Sequence, residues 1–78
     1  MNKARREKLR SVAKQLEACK DIIENLCDEE RDCVDNTPEN LMGSEKYEKM
    51  EDAVDGMEDA AEQLEYAIEH IEDACGGW

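Results

Sequence analysis

The chain has 78 residues and a formal net charge of −12, from 22 Asp and Glu against 10 Lys and Arg. A chain this short makes one small domain and buries too little apolar surface to wall a conventional enzyme cleft. No apolar run approaches the roughly 20 residues of a membrane span, the basic start Met1 to Arg10 is followed by no apolar stretch of a signal peptide, and the sign of the charge disfavours direct binding to a phosphate backbone.

The first predicted element is a helix from about residue 3 to 34. Leu9, Val12, Leu16, Cys19, Ile23, Leu26, Glu30 and Cys33 recur at alternating spacings of three and four, the seam rhythm of a coiled coil, and only Glu30 breaks the apolar rule. The connector follows at 35–44. Thr37 before Pro38 reads as an N-cap with proline at the first helical position, which predicts a short helical turn over Pro38 to Met42. Gly43 suits the position after that turn and Ser44 the N-cap of the next helix. Leu41 and Met42 are placed to plug the end of the seam.

The second helix is predicted at about 45 to 75. From Met50 the chain reads MEDAVDG, MEDAAEQ, LEYAIEH and IEDACGG, four tandem heptads. The apolar series is Tyr47, Met50, Val54, Met57, Ala61, Leu64, Ile68, Ile71 and Cys75. Gly76 and Gly77 end the helix. So short a connector makes the two helices antiparallel neighbours. Pairing residues whose numbers total 80 then sets Leu9 on Ile71, Val12 on Ile68, Leu16 on Leu64, Cys19 on Ala61, Ile23 on Met57, Leu26 on Val54, Glu30 on Met50 and Cys33 on Tyr47.

Charge supports that pairing. Residues 1–20 net +5 and residues 21–78 net −17, so the basic start of the first helix lies beside the acidic end of the second. Arg6 is expected to reach Glu72 and Lys20 to reach Glu58. Such pairs are individually weak, but as a set they select this orientation and register. The surplus negative charge collects around the loop, with Glu29, Asp32, Asp35, Glu48, Asp52 and Asp55 as the candidate partner-binding carboxylates. A lone two-helix seam is a thin core, and the column Ala53, Ala60, Ala67 and Ala74, with Ile22 beside it, offers a face on which another helix can approach closely. The predicted fold class is therefore all-α: an antiparallel two-helix coiled-coil hairpin with a short helical turn in the connector, pairing as a homodimer into a four-helix bundle.

Other chemistry finds little support. Cys19, Cys27, Cys33 and Cys75 form no C-x-x-C spacing, and no intrachain pair falls within disulfide reach in this hairpin. They read as reduced thiols, three acting as small core residues and Cys27 as the partly exposed one, which points to a cytoplasmic setting. A calcium loop starting at Asp35 fails, with Asn40 at the sixth place and Lys46 at the twelfth. A di-iron bundle needs E-x-x-H, and His70 has Ala67 three places before it. Ser11 and Ser44 have no nearby base. The basic cluster Lys3, Arg5, Arg6, Lys8, Arg10 and Lys14 is better read as neutralising the second helix than as touching phosphates. Trp78 is either a loose tail or a cap stacked on Arg5. No catalytic residue, metal ligand or cofactor is expected.

The opening Met1-Asn2-Lys3-Ala4-Arg5-Arg6, the connector Asp35-Asn36-Thr37-Pro38-Glu39-Asn40-Leu41 with Ser44-Glu45 after it, and the Met50-Glu51-Asp52-Ala53 style of heptad together resemble a family of small acidic helical proteins of phages and prophages of Gram-positive bacteria. The resemblance implies a context in which short accessory proteins block host defence by binding one protein target. The expected function is thus a non-enzymatic, phage-type interaction module in the bacterial cytoplasm. It would be an acidic anti-defence inhibitor, an anti-CRISPR or DNA-mimic candidate, binding the basic surface of a nucleic-acid-handling host protein. The alternative is a structural coiled-coil adaptor that dimerises through its Ala-lined face.

Overall fold

The computed structural model describes residues 1–76; the helix stop assigned to Gly77 and the cap or tail assigned to Trp78 lie outside them. Helix α1 (Lys3–Asp35) and helix α2 (Glu45–Cys75) pack against each other, and a 3-10 turn at Glu39–Leu41 sits in the connector. The Cα extents are 59 × 14 × 14 Å, a rod two helices across. Among the described residues no helix is long and apolar enough to cross a membrane.

Side-chain caps fix where the helices begin. The Asn2 Oδ1 accepts from the Arg5 N–H at 2.8 Å and starts α1. The Ser44 Oγ accepts from the Tyr47 N–H at 3.2 Å and starts α2. Each satisfies one donor that the first turn of a helix leaves unpaired. Thr37 departs from its expected role. Its hydroxyl donates to the Cys33 carbonyl at 2.9 Å and so finishes α1, while the 3-10 turn starts from Pro38 with no side-chain cap. Leu41 and Met42 do not plug the seam: Leu41 borders a hollow with Tyr47 and Met50, yet both side chains stay exposed. At the far end the Gly76 N–H bonds the Glu72 carbonyl at 2.8 Å.

Helix α2 presents the seam its heptads predict. Val54, Ala61, Ile68 and Cys75 are buried, and Tyr47, Met50, Met57, Leu64 and Ile71 are half-buried between them. Helix α1 presents a different one. Leu9, Leu16, Ile23 and Glu30 stay in the seam, but their companions are Ala13, Lys20, Cys27 and Val34. The expected companions Val12, Cys19, Leu26 and Cys33 are exposed, Val12 at 41% and Leu26 at 49%. At 100° per residue, this is a rotation of α1 by about 50° about its own axis. The register moves with it. The Cys27 Sγ contacts the Val54 carbonyl at 3.7 Å and the Cys75 Sγ the Arg6 carbonyl at 3.8 Å, pairs whose numbers total 81. The predicted layers Val12–Ile68, Cys19–Ala61, Leu26–Val54 and Cys33–Tyr47 are overturned.

The physical reason is that α1 carries two overlapping stripes that share Leu9, Leu16 and Ile23. The stripe used sets the small Ala13 and Cys27 at the levels of Ile68 and Val54, so large faces small across the seam. It also turns Lys20 and Arg31 toward the glutamate column of α2. The cross-helix ion pairs follow. Lys20 bonds Glu65 at 2.5 Å, not Glu58, and Arg31 takes Glu58 instead. The Arg6 guanidinium donates to the Met1 carbonyl at 2.7 Å rather than reaching Glu72. The core that results is thin: no described side chain is below 2% exposure.

Candidate partner-binding surfaces

The rod has three distinct surfaces, each set by helical spacing. The first is its acidic half. Residues 21–60, which surround the loop, carry 15 acidic and 3 basic side chains, whereas residues 1–20 at +5 and 61–78 at −5 cancel at the open end. Glu29, Asp32, Asp35, Glu48, Asp52 and Asp55 are all exposed. Among the described residues none of the six is held by a lysine or arginine, because Arg31 is spent on Asp28 and Glu58 and Lys49 on Glu45. Glu48, Asp52 and Asp55 stand at i, i+4 and i+7 and share one side of α2. Glu29, Asp32 and Asp35 step by threes and spread over about a third of the circumference of α1. The six encircle the loop half rather than line one face.

The second surface is the flank where the cross-helix pairs lie. Here an open groove of about 450 Å³ runs between the helices past Lys20, Cys27, Arg31, Met57 and Glu65. Its cations are already engaged. The hydrogen bond to Glu65 holds the Lys20 ammonium above its ordinary value, with the charges of Glu65, Glu24 and Glu17 adding to it. The bond to Glu58 raises Arg31 in the same way. Along the back of α2 the Tyr66 hydroxyl donates to Glu62 at 3.1 Å, which raises its pKa. The groove therefore offers no unpaired cation to hold an anion.

The third surface is the opposite flank. In an antiparallel pair the two flanks differ, and what lies across from the ion pairs is apolar. Val12, Ile22 and Leu26 of α1 are exposed there, Ile22 at 59%. Beside them run Ala53, which is exposed, Ala60 and Ala67, which are half-buried, and Ala74, which is exposed. Ile22 and the alanine column share this flank, and Val12 and Leu26, expected in the core, lie exposed on it.

The thiols are corrected likewise. Cys27 is buried rather than partly exposed, Cys19 and Cys33 are exposed rather than in the core, and Cys75 is buried. His70 is exposed. Among the described residues no group of three or more His, Cys, Asp or Glu is placed to hold a metal ion.

No family model, curated protein sequence or solved structure matches the chain.

Lys20 and Arg31 are the cations whose partners differ from expectation: Lys20, expected on Glu58, meets Glu65, and Arg31 takes Glu58. The signal was present: Lys20 shares the second stripe of α1 with Ala13 and Cys27, and Arg31 lies one turn beyond Cys27, so the use of that stripe turns both toward Glu58 and Glu65.

Proposed function

We propose that this protein is a non-enzymatic interaction module whose acidic loop half docks on a basic protein surface. The observation that carries the reading is the segregation of charge: the whole formal charge of −12 belongs to residues 21–60, and among the described residues the exposed Glu29, Asp32, Asp35, Glu48, Asp52 and Asp55 lack lysine or arginine partners. A dense set of unpaired carboxylates offers a basic channel the negative charge that a phosphate backbone offers, and long-range steering speeds the encounter. The phage context implied by the resemblance makes the target a nucleic-acid-handling defence protein of a bacterial host, met in the cytoplasm. Four free thiols fit that compartment.

The test is competition. The protein is titrated against purified bacterial nucleases pre-loaded with labelled DNA, beside the triple variant Glu48→Lys, Asp52→Lys, Asp55→Lys. Displacement of DNA by the native chain, lost in the triple variant and at high salt, is the expected result. Displacement that survives both charge reversal and salt overturns the reading.

A second reading is a structural coiled-coil adaptor that binds through the apolar flank. It is favoured by one observation, the exposure of Val12, Ile22 and Leu26 beside the alanine column.

A further inference from the structure

None of the twelve acidic residues of α2 falls on the stripe formed by positions 49, 53, 56, 60, 63, 67 and 70. On a helix with so much acid, a whole side kept clear of it is a feature to explain. Depletion of charge marks the centre of a protein interface. The corresponding stripe of α1, positions 8, 12, 15, 19, 22, 26 and 29, holds the exposed Val12, Ile22 and Leu26 and a single acid, Glu29. Both stripes lie on the flank away from the Lys20–Glu65 and Arg31–Glu58 pairs, so they form one continuous face.

The two halves of this face are complementary in size. The α1 stripe is bulky and the α2 stripe is small. Gly56 lies in the middle of the small stripe, where an added Cβ would meet nothing within 4 Å. An interior glycine weakens a helix, and the single hairpin has no steric use for it. A bulky side chain from outside would.

We propose that this face binds a second copy of the chain, with the twofold axis along the rod and both acidic loops at the same end. Rotation about the long axis lays α1 of one copy on α2 of the other at equal height, so the symmetry leaves no register to adjust. At equal height residue numbers total about 81, as they do across the seam. The stripe positions nearest in height then set Leu26 against Gly56 of the second copy and Ile22 against Ala60. The two largest apolar residues of the face each find a small one. A strip 59 Å long and 14 Å wide is on the order of 800 Å² per copy, the size of a standard specific interface. The dimer is a four-helix bundle with every neighbouring pair antiparallel. It also sets two halves of −12 each side by side, so the dimer tightens as salt screens them.

The inference rests on the adaptor reading for its face and is independent of the acidic docking proposal, because Glu48, Asp52 and Asp55 lie outside both stripes. Sedimentation across a hundredfold range of protein concentration should give a monomer–dimer equilibrium. Ile22→Glu and Gly56→Leu should each weaken it about tenfold or more, with helical circular dichroism kept. The triple reversal at Glu48, Asp52 and Asp55 should leave the dimer formed, which separates a failure here from a failure of the docking proposal. A spin label at Asn40→Cys, with Cys19→Ser and Cys33→Ser, reads the orientation, since Asn40 is exposed at the loop. An inter-copy distance well short of the 59 Å rod is expected. A monomer at every concentration, a label separation as long as the rod, dimerisation indifferent to Ile22→Glu and Gly56→Leu, or weakening by added salt would each overturn the proposal.

Discussion

Lys20 occupies a seam position where a coiled coil ordinarily places a hydrophobe. Its stem lies along the seam, and its ammonium leaves by the flank to meet Glu65 at 2.5 Å and Glu24 at 3.8 Å. Lys20→Glu would set three carboxylates together and should lower the melting temperature by several degrees, whereas Lys20→Arg should keep it. The fold favours the protonated form of Lys20, raised above 10.5, and of Tyr66, raised above 10.0. The stabilisation from both is therefore whole below about pH 10 and is lost as pH climbs through the raised values. Melting curves should show no contribution from these groups to any change between pH 7 and 9, and a fall above pH 10 that is smaller in Lys20→Arg. The thiols give a second residue-level reading. Cys27 and Cys75 should stay unreactive toward a thiol reagent until the chain unfolds. Cys19 and Cys33 should react at once in dilute solution, and more slowly as rising concentration lets a second copy cover their flank.

Helix α2 was legible in full, because its four heptads leave one choice: the residues at 50, 57, 64 and 71 are large, and the acids keep clear of the seam. Both long helices, Asn2 as the residue before the first, and the Ser44 cap were equally open to reading. Helix α1 was not, because Leu9, Leu16 and Ile23 belong to two stripes at once. Ranked by apolarity, Val12 and Leu26 outweigh Ala13, Lys20 and Cys27, and the ranking fails because the partner decides. Helix α2 offers a glutamate column on one flank and bulky Ile68 and Val54 at the centre, which select cations and small residues from α1. Thr37 was misread for a similar reason: a hydroxyl between two helical segments can serve either, and the Cys33 carbonyl took it. Thinness of the core makes single seam residues count for much. Ile68, 3% exposed, should cost about 2–5 kcal/mol on truncation to alanine, measured by urea unfolding at fixed protein concentration. A loss under 1 kcal/mol would mean that the seam is not where the fold is held.

For the molecule as a whole, the charge pattern and the apolar flank make separate demands. The acidic half should govern how fast a basic partner is met. Its association rate should fall steeply as ionic strength shortens the screening length to about 8 Å near 0.15 M, while the dissociation rate changes little. Stopped-flow traces at several salt concentrations distinguish this from contact-driven binding, in which the dissociation rate carries the change. A hairpin also brings residue 1 and residue 76 to the same end of the rod, at the far end of its 59 Å length from the loop. Anything tethered there, whether a bead, a fluorophore or a surface, holds the molecule as a mast is held at its foot. The carboxylates then ride in the upper half of the mast, roughly 30–50 Å clear of the attachment by helical rise. Their reach is set by the stiffness of two paired helices and not by the wandering of a flexible chain.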